Sequence, residues 1–428
     1  MKKKFLALTL ALAMAVGLAA CGNSGAPSQT PAASSPAASA PAASTPAAQP
    51  SGSSDFKVGA IYITSQQDVA GYTFQHHNGI TTAMKNLGLD PATQLLIVDN
   101  VDDRDDTAVA SAIDTLANQG ADIIFGISFG YIQSMADKAE DYPDIMFSHG
   151  TGYLANDTNF NNYFGRIYQA RYLAGIAAGM KTLELGNNNI GYVAAYNLEY
   201  AETCSGINAF ALGAQSANPD AVVYVSEINT WGDEALERQA AQALIDTYHC
   251  CVISQHCDSA QPQLVAAENN VFGCGYNSDM TEQAPSAHLT AAIWHWNVYY
   301  ETAIQAAMDC QGDASKFVEQ MGGNAYYAGL AEGFVDASEL NDMAAAPNTR
   351  EVMDAVRELI QSGEWDVFTG VKLSYNISDD GKVEIIKTDA DMFDNQGSMI
   401  LASGSGNVID DSAIKGTMDY NVKGVIAG

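Results

Sequence analysis

The chain has 428 residues, enough for two or three domains at about 100 to 200 residues each. Hydrophobic residues make up 47% and charged residues only 16%, and the balance of 19 Lys+Arg against 50 Asp+Glu gives a net charge of -31. Nucleic acid is excluded as a partner, because phosphate binding needs a basic face, and electrostatic docking on anionic lipid is disfavoured.

The first segment reads as an address. Lys2, Lys3 and Lys4 form a positive start, and Phe5 to Leu18 is apolar but short for a membrane span. The stretch ends in Leu18-Ala19-Ala20-Cys21, which resembles the bacterial lipoprotein box. Residues 1–21 are therefore expected to be a signal peptide, with Cys21 as the lipidated residue. A multiply acylated Cys anchors stably where a single chain does not. Residues 22–54 are Ala, Pro, Ser, Thr and Gly, and hold six of the 12 prolines. Such a composition cannot bury enough apolar surface to fold, and repeated Pro keeps it extended. A stalk is expected there, tethering a domain over 55–428 outside a membrane.

The body alternates strand and helix. Lys57–Ile63 reads as a buried strand, Asn78–Leu87 as a helix and Gln94–Val98 as a strand. Asp105 can cap a helix over Asp106–Asn118, and strands follow at Ala121–Ile127 and Ile145–Phe147. The second half repeats this with a strand at Asn189–Ala194, a helix near Ser205–Ser216 and a strand at Val222–Ile228. Asp233 can then cap Glu234–Thr247 ahead of a strand at Cys250–Ser254. Asp105 and Leu116 match Asp233 and Leu244 at one fixed offset. Strands alternating with helices imply an α/β fold with mainly parallel sheets flanked by helices, in two lobes. Lobe 1 is expected at about 55–165 plus later crossover segments. Lobe 2 is expected at about 185–295 plus part of the C-terminal region. Between them, Arg166–Lys181 carries small residues that suit a closely packed crossover helix. The segment Thr388–Gly406 is Gly-rich and carries no readable pattern.

In open α/β sheets, ligands bind beyond the carboxyl ends of strands. Those ends are Gln67–His77, Ser128–Tyr131, His149–Tyr153, Asn229–Trp231, Gln255–Ser259 and Gly275–Asp279, with Trp294-His295-Trp296 later. They supply aromatic faces, carboxylates, amides and hydroxyls, and few cations. Flat aromatics stack on heteroaromatic rings, and Asp and Asn satisfy N–H and hydroxyl groups. A purine base or nucleoside fits that inventory. A phosphate-bearing ligand does not, because no phosphate loop or basic cluster is present.

Several long motifs carry a family resemblance: Ser128-Phe129-Gly130-Tyr131, His149-Gly150-Thr151-Gly152-Tyr153, Tyr163–Gly175, Gly206-Ile207-Asn208-Ala209-Phe210, Gly275–Met280, Val367–Gly370 and Gly424–Gly428. In these the chain resembles the BMP/PnrA-like substrate-binding lipoproteins of ABC importers, over nearly everything after the stalk. The resemblance implies a two-lobe type I periplasmic-binding-protein fold with a ligand cleft between the lobes. It implies capture of a purine nucleoside or nucleobase, delivery to an ABC permease, and no catalysis or cofactor. Carried onto matching positions, Tyr72 is the aromatic of the first loop and Phe129 a wall of the site, with Ser128 beside it. Trp231, His256, Asp258, Asn277, Asp279 and Trp294 are the lining from the second lobe. The sequence departs from the family pattern at Gln133 and at Tyr248-His249-Cys250, and the match is loose around Tyr200–Thr203.

Other constellations carry less. The cysteines beyond Cys21 are expected to be buried free thiols where they fall on strands (Cys250, Cys251, Cys274). No CxxC or HExxH spacing points to a metal. A surface receptor that senses ligand with the same cleft, or a binder of another small polar ligand such as a sugar, are the alternatives.

Overall fold

The computed structural model describes residues 55–378 and 380–427. The expected signal peptide, Cys21 and the stalk lie outside the described residues.

The first half supplies β1 (Val58–Ile61), β2 (Leu95–Val98), β3 (Ile123–Gly126), β4 (Met146–Gly150) and β5 (Phe160–Gly165). The second supplies β6 (Asn189–Ala194), β7 (Val222–Glu227), β8 (Val252–His256), β9 (Phe272–Asn277) and β10 (His288–Trp294), followed by β11 (Ala325–Ala328) and β12 (Val335–Ala337). One sheet runs β11-β5-β4-β3-β1-β2 and is parallel throughout. The other runs β12-β10-β9-β8-β6-β7 and ends on the terminal strand Val425–Ala427; β12 alone is antiparallel in it. The central order 2-1-3-4-5 of the first half recurs as 7-6-8-9-10 in the second, so the offset read in the sequence is a structural repeat. Its helix caps recur too. Asp105 accepts from the backbone N–H of Thr107 and Ala108, and Asp233 from Ala235 and Leu236. Strands β1, β3 and β4 are buried along their length, which is why they read as apolar runs.

The chain passes between the sheets after β5, after β10 and after β11. The first passage is the helix Ile167–Leu185, which lies against the helix Ala201–Ala217. A Cβ at Gly175 would sit 2.1 Å from the Phe210 carbonyl oxygen, and one at Gly179 would sit 2.3 Å from that of Ala214. The two backbones therefore approach closely, and only glycine permits it. The helix after β1 spans Gly71–Asn86, starting well before the expected Asn78. Polar and aromatic residues at its start read as a loop. Packing holds them helical, with Thr73 and His76 both buried. The unpatterned C-terminal stretch belongs to a three-stranded antiparallel sheet (Thr369–Ile377, Val383–Asp389, Gly404–Val408) and a small hairpin, Met392–Phe393 with Met399–Leu401. All six described cysteines are free and buried. No described helix is long and apolar enough to cross a membrane.

Candidate functional site

A cavity of about 610 Å³ opens between the carboxyl ends of the two sheets. Tyr72, Ser128, Phe129 and Tyr153 line it from the first sheet, and Tyr200, Glu202, Trp231, Asp258 and Tyr276 from the second. Ser412 and Lys415, from the short helix Asp411–Gly416, complete the wall. That helix is held to the first sheet by Arg166, whose Nη2 lies 2.6 Å from Asp411 Oδ2. Lys415 is the one basic residue of the lining, and it rests 4.6 Å above the Tyr327 ring.

Aromatic rings meet across the opening. Phe129 contacts Tyr200 edge-on with centroids 5.7 Å apart, and Tyr200 lies 5.7 Å from Trp231. Tyr72 is fixed by its hydroxyl, which donates to the Ile127 carbonyl at 2.5 Å. Ser128 Oγ donates to Asp103 at 2.6 Å, so its proton is already committed. Asp258 is anchored through its backbone, whose N–H donates to the Trp231 carbonyl at 2.9 Å. Its Oδ1 accepts from Asn277 Nδ2 at 3.0 Å. Burial, and then the nearby Glu237 charge, push the Asp258 carboxyl well above the usual carboxylate range, with Asn277 opposing.

The structure gathers Tyr72, Ser128, Phe129, Trp231 and Asp258 on the cavity wall. The other four expected residues stand elsewhere. Asn277 is fully buried, in the left-handed region at φ 66°, and supports Asp258 from behind. His256 is also fully buried and touches Glu202. Asp279 holds a turn, accepting from the Thr281 backbone and hydroxyl, and lies 3.6 Å from His288. Trp294 stacks on Trp296 with centroids 4.4 Å apart, beneath the passage between the sheets.

Tyr200 and Glu202 were not anticipated. Both follow β6, the counterpart of β1 in the repeat, so the carboxyl end of that strand was the signal to read. Ser412 and Lys415 come from far along the chain, and no local pattern points to them. Among the described residues no cluster of His, Cys, Asp and Glu could hold a metal ion. The cleft offers stacking faces and hydrogen-bond acceptors.

Comparisons with known proteins agree with this geometry. The family model described as ABC transporter substrate-binding protein PnrA-like matches residues 56–364. A purine-binding protein of Brucella abortus is 33% identical over 315 residues, covering 73% of this chain and 83% of its own. A putative ABC transporter glucose-binding protein of Haloferax volcanii is 39% identical over 258 residues, covering 59% of this chain. The match spans 61% of the length of that relative. A solved ABC transporter solute-binding protein of Aeropyrum pernix K1 superposes with a TM-score of 0.58 at 14% identity, over 77% of this chain and all of its own. That neighbour establishes the type I periplasmic-binding-protein fold. These relatives are binding proteins rather than enzymes, and the chain belongs to the PnrA-like family of ABC transporter substrate-binding proteins.

Proposed function

We propose that the protein captures a purine nucleoside or nucleobase in this cleft and delivers it to an ABC permease. Lipidated Cys21 would hold it at the outer face of the membrane, with residues 22–54 as the stalk. The observation that carries the ligand class is the pairing of ring faces with carboxylates in one cavity. Phe129, Tyr200 and Trp231 offer stacking surfaces, each worth about 1 to 3 kcal/mol to a stacked base. Asp258 and Glu202 offer polar partners for the ring edge or a ribose. The one cation, Lys415, is too little for a phosphate. The purine-binding Brucella relative supports the reading.

Denaturing the purified protein and weighing the released small molecules tests it. Slowly dissociating ligands survive purification. A near-stoichiometric purine is the expected result, and its mass separates base from nucleoside. A sugar in its place would keep the fold and favour the second reading, to which the glucose-binding Haloferax relative points.

Asp258→Ala is expected to weaken ligand binding by about 1.5 to 3 kcal/mol if Asp258 binds the ligand ionised, and by about 0.5 to 1.5 kcal/mol if it binds protonated. Titration calorimetry against the recovered ligand checks it. Wild-type affinity in the variant would remove Asp258 from the site.

A further inference from the structure

Glu202 stands in the first turn of the helix Ala201–Ala217 and lines the cavity. Its side chain is 19% exposed, and its Oε1 lies 3.1 Å from His256 Nε2. Neither atom has an aligned hydrogen-bond partner among the described residues. Oε1 is closed off from solvent, and the donor within its reach is His256 Nε2–H. The exposed part of the side chain leaves the other carboxylate oxygen, Oε2, as the acceptor that a solute in the cavity can reach.

Behind the wall is a fixed positive charge. Arg171, from the helix Ile167–Leu185, lays its guanidinium 3.8 Å from the centroid of the Tyr276 ring and donates to the Gln255 carbonyl at 2.6 Å. Gly206 gives the group room: a Cβ there would stand 3.2 Å from Arg171 Nε and 3.3 Å from His256 Cε1. Burial pushes His256 down to about 4, Arg171 adds to this and Glu202 opposes it. Burial raises the Glu202 carboxyl, while His256 and Arg171 more than offset it, so it falls below its ordinary value. Arg171 supplies a permanent positive charge behind the carboxylate whichever way His256 is protonated.

We infer that Glu202 is the specificity-determining acceptor of this cleft: it takes the N–H-bearing edge of a planar heterocycle, and Arg171 and His256 are the positioning residues that hold it for that task. Tyr200 and Trp231 line the same cavity as Glu202, so a ring stacked on them would share that wall with its carboxylate. The inference rests on the purine reading for the ring and adds which protein group reads its edge.

The test uses solute-free wild-type and Glu202→Gln protein. The probes are adenine, guanine and hypoxanthine, their counterparts methylated at each N–H position, and glucose. Wild-type protein should prefer one base and reject at least one of its methylated counterparts. Glu202→Gln should bind that base about 10- to 150-fold more weakly, and its penalty against that counterpart should collapse. His256→Gln, which keeps a donor beside Glu202, should retain the discrimination, and His256→Leu should lose most of it. Unchanged discrimination in Glu202→Gln overturns the inference. So does a uniform loss across all counterparts, which would mark a structural role. A wild-type protein that takes glucose and no purine overturns the purine reading, and with it the heterocycle edge assigned here. Glu202→Gln measured on glucose then decides separately whether the residue contacts solute.

Discussion

Gly71→Ala is expected to be among the most damaging single substitutions at the cleft, at about 2 to 5 kcal/mol in total from backbone strain and overpacking. Gly71 opens the helix Gly71–Asn86 with φ +87°, and its N–H donates to Ser278 Oγ at 3.1 Å. A Cβ at this position would stand 1.9 Å from the Asp258 carbonyl oxygen. Ser278 and Asp258 follow strands of the other sheet, so the glycine is a point where the two halves touch backbone to backbone. The two costs fall on different states. An L side chain at positive φ costs about 1 to 2 kcal/mol however the halves are arranged. The clash, about 1 to 3 kcal/mol, acts only when the halves are together, and a solute that binds between them selects that arrangement. Solute-free Gly71→Ala should therefore melt slightly earlier, and should also lose affinity by about 5- to 150-fold. Small-angle scattering at saturating ligand should give a larger radius than for wild type. Equal affinity in the variant would show that ligand capture does not require this contact.

Most of the fold was legible because buried parallel strands are continuous apolar runs and the helices between them carry their own caps. Asp105 and Asp233 announced both the helix starts and the repeat. The family resemblance picked Tyr72, Ser128, Phe129, Trp231 and Asp258 out of the loops that the carboxyl-end rule named, and these five line the cavity. It could not separate wall from support within one loop. His256 and Asn277 end β8 and β9, and the face each side chain takes there depends on pleat and local turn. His256 and Asn277 turn inward, to Glu202 and Asp258. The Gly71 helix start was hidden because tertiary packing overrides weak local propensity. The helix Asp411–Gly416 reaches the cavity only through long-range contacts, with Arg166 at one side and Asn208 receiving the chain beyond it at Tyr420 and Val422.

Trp296→Ala tests the opposite kind of residue, one expected to hold the passage between the sheets while touching no ligand. Trp294 closes β10, and Trp296 begins the helix Trp296–Asp309 that packs on Gly71–Asn86 in the first half. Trp296 stacks between Trp294, at 4.4 Å, and His76, at 4.0 Å between ring centroids. Phe334 and Tyr163 meet it edge-on at 5.2 and 5.7 Å. Both indoles are 1% exposed, and neither indole nitrogen has a hydrogen-bond partner among the described residues, so the rings act by packing. Deleting a ring enclosed on this many sides should cost about 3 to 5 kcal/mol, because the lost burial is compounded by a cavity that rigid neighbours cannot collapse. Trp296→Phe, which keeps a stackable ring, should cost clearly less. Denaturant unfolding of the solute-free protein measures both. The contrast with Asp258→Ala is the informative part: that variant should lose affinity at a smaller stability cost, about 1 to 3 kcal/mol from the buried Asn277 donor left unpaired. Trp296→Ala should lose stability first, and affinity only to the extent that fewer molecules are folded. A Trp296→Ala protein within about 1 kcal/mol of wild type would show that the stack is not what joins the halves. It would leave the helix pair Gly71–Asn86 and Trp296–Asp309 to do so through the close approach at Gly79, where a Cβ would meet Trp296 Cβ at 2.5 Å.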